Sequence, residues 1–285
     1  AALKIARNYG SLSKKDEIIA MTSSFHGRTI GALSVGSNKN YKSNIGPVPG
    51  KVKFCEFNNS KNLKKLINKK TVAIIIEFVQ GDGGINICSK EFAKTIKEIC
   101  KKRKILLIAD EIQGGIGRTG KIFAYKHYGV SPDIITSAKG LGSGIPIGAT
   151  IVKKEISKNI NIGFHGSTFG GGMLQTRVAY NVFRTINKTS FLNSVKSKGI
   201  LLSKLLNKLH SSYDCIKEVR IKGLMAGIEF MNSQIALKIY KDSSNHGLVT
   251  TLVKGTTIRI TPPLIIKSEE LKKGIKIISN CLEKI

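Results

Sequence analysis

The sequence contains no apolar stretch that approaches the ~20 residues needed to cross a bilayer, and no signal-peptide pattern, so no membrane partner is expected. Cysteine is sparse, odd in number and without a CxxC pair, which argues against a disulfide framework or a zinc knuckle. The cysteines are Cys55, Cys88, Cys100, Cys215 and Cys281. The histidines show no metal-ligand spacing such as HExxH, so no metal is expected. Scattered thiols are typical of a reducing compartment, and we therefore predict a cytoplasmic location.

Acidic residues are also scarce, with 18 Asp and Glu against 47 Lys and Arg, which gives a formal net charge of +29. Such an excess first suggests a nucleic-acid partner. Only eight of the basic residues are arginine, however, and the lysines are spread along the whole chain. Arginine makes the directional contacts of phosphate and base recognition, whereas lysine is more often a solvated surface charge. Because no helix-turn-helix, RNP or zinc-finger pattern is present, we expect no specific nucleic-acid binding.

Tryptophan is absent, but 41% of the 285 residues are hydrophobic and the mean hydropathy is -0.02. This composition excludes a disordered or collagen-like chain, and the length predicts about two domains at roughly 150 residues each. The chain starts without a methionine, inside a pattern that predicts a helix over residues 1–9. We therefore expect a fragment that lacks its natural N-terminal segment.

Short apolar runs alternate with helical patterns through the first half of the chain. The strand-like runs are residues 72–76, 105–109, 134–135 and 149–152. Continuous apolar strands separated by helices predict an α/β fold, in which a mostly parallel sheet carries helices on both faces. The pattern changes after about Gly172. We expect a large domain over residues 1–172 and a smaller C-terminal α+β domain, with its connecting helices, over residues 173–285.

Two chemically reactive residues stand where predicted strands end. Asp110 follows the run 105–109, and Lys139 follows the run that begins at Ile134. Ligands of open α/β sheets bind outside the carboxyl ends of the strands. An acid and a lysine placed in this way are typical of an enzyme that holds pyridoxal phosphate as a Schiff base. Residues 115–120 also match G-x-G-x-x-G, but they neither follow a strand directly nor open a helix, so we expect no nicotinamide nucleotide there.

Four segments resemble, in order, the signatures of the class III pyridoxal-phosphate-dependent aminotransferases. They read Phe-His-Gly-Arg-Thr (25–29), Ala-Asp-Glu-Ile-Gln-Gly-Gly-Ile-Gly-Arg-Thr-Gly (109–120), Ser-Ala-Lys-Gly-Leu-Gly (137–142) and His-Gly-Ser-Thr-Phe-Gly-Gly (165–171). The resemblance extends over nearly the whole chain and is strongest to the branch that uses N-acetylornithine. It implies the fold-type I architecture, pyridoxal 5'-phosphate as the cofactor, and a homodimer with shared active sites.

The resemblance also implies residue roles toward the cofactor. Lys139 matches the lysine that forms the Schiff base and moves a proton, and Asp110 matches the acid that faces the pyridine nitrogen; these two are the expected catalytic residues. An opposite charge ~4 Å away at an effective dielectric of ~20 is worth ~4 kcal/mol, which is enough to keep that nitrogen protonated. Phe25 matches the aromatic residue that stacks on the ring. The other expected cofactor ligands are Glu111, Ile112, Gln113 beside the phenolic oxygen, and Thr168 donated by the partner subunit.

Four further residues are expected to bind substrate. Arg28 matches the arginine that holds the α-carboxylate, and Ser167 the residue beside the substrate. Arg259 matches the arginine that binds the carboxylate of the oxo acid or pairs with a loop acid, here Asp82, where the family usually has glutamate. The forked donors of arginine suit a planar carboxylate.

The reaction implied by the resemblance is a ping-pong transfer of the terminal amine of N-acetylornithine to 2-oxoglutarate, a step of arginine biosynthesis. Two alternatives stay open. Other class III omega-aminotransferases, which act on ornithine, succinylornithine or 4-aminobutyrate, share most of these motifs. A truncated homologue that folds without catalysing is the second alternative.

Overall fold

The structure is a computed structural model that describes residues 1–11 and 13–285. The helices are α1 (Ala2–Ser11), α2 (Ile30–Val35), α3 (Ser60–Leu66), α4 (Lys90–Arg103), α5 (Lys154–Ser157), α6 (Met173–Ile186), α7 (Thr189–Ser212), α8 (Ser233–Asn245) and α9 (Ser268–Leu282). The strands are β1 (Glu17–Met21), β2 (Lys51–Cys55), β3 (Thr71–Ile76), β4 (Val79–Gln80), β5 (Asn86–Ile87), β6 (Leu106–Asp110), β7 (Ile134–Ser137), β8 (Ala149–Val152), β9 (Ile216–Lys222), β10 (Met225–Phe230), β11 (Thr251–Val253) and β12 (Thr257–Ile260). None of these helices is long and apolar enough to cross a membrane.

The larger sheet has six strands in the order β2-β1-β3-β6-β7-β8. All neighbours run parallel except β8, which is antiparallel to β7. Successive side chains of a strand point to opposite faces. Ile75 of β3 accordingly joins a buried cluster with Ile5 of α1, whereas Ile74 joins a second cluster with Phe92 of α4. The prediction of an α/β fold with helices on both faces of a mostly parallel sheet is confirmed.

A second sheet lies closer to the C-terminus, with four antiparallel strands in the order β11-β12-β10-β9. Helices α7, α8 and α9 cover it, and a separate buried cluster fills the space between them, including Leu202, Ile228 and Ile278. The predicted C-terminal α+β unit is therefore present. Helix α6 begins at Met173; the domain boundary between residues 172 and 173 stays a prediction.

The glycine-rich segment after β6 joins the two sheets. Residues 115–120 form turns and open no helix. Within this segment, the side chain of Arg118 donates to the carbonyl oxygens of Leu224 and Pro262, and burial lowers its pKa to about 10. Gly223 has φ +61, and a Cβ there would lie 2.5 Å from the carbonyl carbon of Thr119. This close backbone approach fixes the second sheet against the glycine-rich segment that follows β6.

Candidate active site

The two expected catalytic residues lie at the same edge of the larger sheet. Strands β6 and β7 are parallel neighbours, with Asp110 opposite Thr136, and Lys139 follows two residues after the end of β7. Lys139 opens a short 3-10 helix and has φ +49, in the left-handed region that non-glycine residues seldom adopt. Such backbone strain is concentrated at functional sites. The sheet thus brings Asp110 and Lys139 together as the sequence predicts.

Asp110 is held by three hydrogen bonds. His26 Nδ1 lies 2.7 Å from Asp110 Oδ2, and the side chains of the two residues are only 2% and 5% exposed. The other carboxylate oxygen, Oδ1, accepts from the hydroxyl of Thr136 and from the backbone amide of Ile112, each at 3.1 Å. A carboxylate with both oxygens bound has a fixed orientation, as a partner for a ring nitrogen requires.

A second buried acid, Glu77, completes this cluster. Burial raises its pKa to about 7, although the positive charge of His26 opposes that change. Burial also lowers the pKa of His26, but the hydrogen bond that its ring donates to Asp110, together with the charges of Asp110 and Glu77, outweighs burial, so the net pKa is raised. His26 is thereby favoured in its charged form beside Asp110.

Lys139 lines a cavity of about 780 Å³, which Ile112, Gln113 and Arg259 also line. Partial loss of water lowers the pKa of the Lys139 ammonium group. The charge of Asp82 opposes this effect, Arg259 reinforces it, and Asp110 opposes it more weakly. Asp82, Asp110 and Arg259 therefore all act on the charge of Lys139, and its neutral amine forms at lower pH than that of a lysine in water.

Asp82, Gln113 and Arg259 form one hydrogen-bonded group. Arg259 Nη1 lies 2.7 Å from Asp82 Oδ1 and 3.3 Å from Gln113 Oε1. Gln113 Nε2 in turn donates to Asp82 Oδ2 at 3.2 Å. The shorter acid at position 82 therefore reaches the arginine directly, and Gln113 contacts both charged side chains. This approach needs Gly81, since a Cβ there would lie 2.1 Å from Gln113 Oε1.

The Phe25–Thr29 segment contributes one buried and one exposed group. The backbone amide of Phe25 donates to Glu77 Oε2 at 3.0 Å, which ties this segment to the end of β3. Arg28 is exposed, and its guanidinium lies over the ring of Tyr41, with Phe25 further away. The expected carboxylate-binding residue is thus on the outer side of the site, apart from Arg259.

Glu111 and Ile112 differ in how they relate to the cavities. Both carboxylate oxygens of Glu111 accept backbone amides, from Ala124 at 2.7 Å and from Tyr125 at 2.8 Å. Its side chain is therefore engaged with the turn that follows the glycine-rich segment, and burial raises its pKa to about 7. Ile112 lines the cavities on both the Lys139 side and the Asp110 side. Their predicted cofactor contacts stay predictions.

Ser167 and Thr168 are not brought to these cavities by their own chain. They lie in an exposed loop, and the described cavities around Lys139 and Asp110 do not include them. Large apolar side chains stand exposed around the same loop: Ile162, Phe169, Met173, Leu174 and Tyr180. The sequence expectation for Thr168 is a role in the partner subunit's site, and such a role needs an exposed loop of this kind.

The residues around Asp110 and Lys139 fit a flat, polar, charged cofactor such as pyridoxal phosphate. A second cavity of about 350 Å³ lies on the Asp110 side and meets the Lys139 cavity at Ile112. Three buried polar atoms in this region have no partner among the described residues: His26 Nε2, Ser137 Oγ and Arg259 Nε. Because proteins pair nearly all buried polar atoms, these positions indicate a polar ligand. The donor set, with a lysine amine and a fixed carboxylate, suits that cofactor.

Sequence reasoning assigned no role to His26, Thr136 or Tyr41. The only sequence signal for His26 is its place next to Phe25 in a signature segment, and its partner Asp110 is 84 residues away. Glu77 gave a stronger signal, because it ends an apolar strand as Asp110 does. What these residues do depends on contacts between distant parts of the chain.

Comparison with known proteins agrees with this geometry. The family described as Aminotransferase class-III matches residues 1–282. The acetylornithine aminotransferase of Caldanaerobacter subterraneus subsp. tengcongensis is 40% identical over 287 residues, which span all of this chain and 72% of that protein. The succinylornithine transaminase of Yersinia pseudotuberculosis is 36% identical over 297 residues, again spanning the whole chain and 72% of the relative.

Solved structures show the same relationship. The ornithine aminotransferase of Toxoplasma gondii superposes with a TM-score of 0.93 at 28% identity, covering 100% of this chain and 69% of the other. A PLP-bound amine transaminase from an uncultivated Pseudomonas species gives a TM-score of 0.92 at 26% identity, covering 99% and 73%. The predicted fold, enzyme class and cofactor are therefore confirmed, and the chain belongs to the class III aminotransferases, which are pyridoxal-phosphate-dependent enzymes.

Proposed function

We propose that this aminotransferase moves the terminal amine of N-acetylornithine to 2-oxoglutarate as a cytoplasmic homodimer. The observation that carries this proposal is that one of two arginines has a carboxylate partner and the other has none. Arg259, beside Lys139, is covered by Asp82, whereas Arg28 has no carboxylate partner in the described chain. A donor whose carboxylate is remote from its reacting amine needs the outer arginine only.

The same arrangement supports an oxo acid as the second substrate. The carboxylate of 2-oxoglutarate that adjoins its reacting carbon needs a cation close to Lys139, and Arg259 is that cation once Asp82 releases it. Its second carboxylate reaches the position that the donor's carboxylate occupied at Arg28. Arginine suits both contacts, since its forked donors bind a carboxylate in two-point fashion.

The roles of the chain's own residues follow from their surroundings. When bound, pyridoxal phosphate supplies a carbonyl that takes up the amino group and a ring that accepts the electron pair released when a substrate C–H bond breaks. Lys139 Nζ would take the proton from that carbon and pass it to the cofactor carbon that receives the amino group, and its lowered pKa favours the unprotonated form that starts this transfer. Asp110, fixed by His26 and Thr136, holds a proton on the ring nitrogen.

The remaining predicted contacts complete the proposal. Phe25 covers one face of the cofactor ring, Gln113 binds its phenolic oxygen, and Glu111 and Ile112 shape the adjoining wall. Thr168 of the partner subunit binds the phosphate, and Ser167 lies beside the substrate. The exposed apolar residues around that loop support burial against a second copy of the chain, because monomers seldom expose large contiguous apolar patches.

The test compares initial rates with 2-oxoglutarate and four amino donors: N-acetylornithine, N-succinylornithine, ornithine and 4-aminobutyrate. We expect the highest kcat/KM with N-acetylornithine, and a higher value with another donor rejects the proposed substrate. The protein should also show a visible absorbance band that borohydride removes and that Lys139→Ala lacks. Absence of that band, together with no transfer from any donor, means a folded homologue without catalytic activity.

A further inference from the structure

Arg28 is held in the structure by aromatic rings alone. Its guanidinium carbon lies 4.0 Å from the centroid of the Tyr41 ring and 5.9 Å from that of Phe25. Among the hydrogen bonds and ion pairs of the described residues, none involves the Arg28 side chain. An arginine with an acidic partner has to exchange that partner for a substrate, whereas a ring face occupies none of the five N–H donors.

The Tyr41 ring is itself fixed in place. It belongs to a 3-10 helix over Lys39–Lys42, whose first turn is capped by the Asn38 side chain accepting from the Asn40 amide at 3.0 Å. The ring meets Phe25 edge-on, with centroids 5.9 Å apart and an interplanar angle of 81°. Since the backbone amide of Phe25 is hydrogen-bonded to Glu77, the pair of rings formed by Phe25 and Tyr41 is anchored to the larger sheet.

The two rings also bound a cavity. Phe25 and Tyr41 line a space of about 320 Å³ together with Asp82 and Lys254. Arg28 therefore packs on the rings that face the space next to the Asp82–Arg259 pair. A substrate that reaches from this pair outward meets the guanidinium that these rings orient.

We propose that Tyr41 is a positioning residue for substrate recognition, acting through Arg28. Its ring face holds the guanidinium with the N–H fork free, ready for the α-carboxylate of the amino donor. The inference rests on the proposed carboxylate-binding role of Arg28. Stacking of a cation on an aromatic face is worth a factor of about 3 to 30 in an equilibrium constant. The face of the ring is what matters, because the guanidinium carbon of Arg28 lies only 4.0 Å from the centroid of the Tyr41 ring.

The experiment measures KM and kcat of Tyr41→Leu and Tyr41→Phe with N-acetylornithine and with N-acetylputrescine, which lacks only the carboxylate. We expect Tyr41→Leu to raise KM for N-acetylornithine about 3- to 30-fold with little change in kcat, and to leave KM for N-acetylputrescine unchanged. Tyr41→Phe, which keeps the face, should behave as the unaltered protein. Equal losses with both substrates, or the same loss in Tyr41→Phe, overturn the inference.

A binding measurement and a second variant separate this inference from the role of Arg28. N-acetylnorvaline carries the carboxylate but no terminal amine, so it binds without reacting, and calorimetry gives its Kd. We expect Tyr41→Leu to weaken binding of N-acetylnorvaline by the same factor by which it raises KM for N-acetylornithine. In a protein that already carries Arg28→Gln, Tyr41→Leu should not weaken this binding further. If Arg28→Gln leaves the Kd unchanged, the proposed role of Arg28 fails. If Arg28→Gln weakens binding but Tyr41→Leu does not, only the inference about Tyr41 fails.

Discussion

The ion pair between Asp82 and Arg259 gives a quantitative prediction about which substrates the enzyme accepts. In the structure, Asp82 competes for the same guanidinium that we expect to bind the carboxylate next to the reacting carbon of 2-oxoglutarate. Asp82→Asn keeps an oxygen that accepts from Arg259 but removes the negative charge. The carboxylate of 2-oxoglutarate then displaces an amide oxygen instead of an ion-paired carboxylate.

The magnitude follows from the exposure of the pair. Two unit charges ~4 Å apart at an effective dielectric of ~20 attract by ~4 kcal/mol. Asp82 is 33% exposed and Arg259 17%, so solvent screening reduces that value. Fully exposed pairs contribute about 0.2–1 kcal/mol and hydrogen bonds to charged groups about 1.5–3 kcal/mol, so a partly exposed, hydrogen-bonded pair contributes about 1–2 kcal/mol. Because 1.4 kcal/mol is tenfold in binding, Asp82→Asn should lower KM for 2-oxoglutarate by a factor of about 5 to 30.

The assay is steady-state transfer with 2-oxoglutarate varied at a fixed, saturating amino donor. Asp82→Glu restores the charge and should return KM to the original value. Asp16→Asn is a matched control, because Asp16 also lies 2.7 Å from its cation, Lys51, but at an exposed position; it should change nothing. If Asp82→Asn raises KM for 2-oxoglutarate or leaves it unchanged, Asp82 does not compete with the oxo acid for Arg259.

Three further predictions concern stability and assembly. The pKa of Glu111 is raised to about 7, so the folded protein binds that proton more tightly than the unfolded chain, and this contribution to stability is lost as pH rises from about 4.5 through 7. Between pH 5 and pH 8, the free energy of unfolding measured in urea should therefore fall by about 1–3 kcal/mol less in Glu111→Gln than in the unaltered protein. An equal fall in the two proteins contradicts the raised pKa. Arg118→Met leaves two carbonyl oxygens unpaired and should lower the free energy of unfolding by about 2–4 kcal/mol, whereas unchanged stability means that these hydrogen bonds contribute nothing net. When equal amounts of Lys139→Ala and Thr168→Ala are mixed and exchange subunits, half of the dimers are hybrids with one intact site. If the sites are shared, activity should therefore recover to about one quarter of the original. No recovery after subunit exchange shows that Thr168 acts within its own chain or not at all.

The fold and the reactive pair were predictable because their signals are local. Strand β3 occupies Thr71–Ile76 and β8 occupies Ala149–Val152, as the apolar runs indicate. Lys139 and Asp110 end up together because parallel strands bring their carboxyl ends to one edge. These inferences need only periodicity and the rule that relates strand ends to ligand sites.

The contacts that tune the site were not predictable in the same way. His26 reaches Asp110 across 84 positions, and Arg118 reaches Pro262 across 144. Neither residue type has a sequence pattern that identifies its partner, since histidine and arginine also occur at surface positions where they have no specific role. Gln113 was expected beside the phenolic oxygen of the cofactor, but its place between Asp82 and Arg259 depends on how closely the second sheet approaches β6.

The two sides of the site differ in burial, and that difference separates their tasks. The side chains of His26 and Asp110 are almost fully buried, so breaking their contact strands a charge away from water, which costs several kcal/mol. Asp82 and Arg259 are partly exposed, so water can take the place of either partner at small cost. A substrate carboxylate is therefore able to displace Asp82 but has no access to the pair around Asp110. On the roles proposed above, substrate choice is decided on the exposed side, where Asp82, Arg259 and Arg28 lie, while the buried side keeps the electrostatics of the cofactor ring constant through both halves of the reaction.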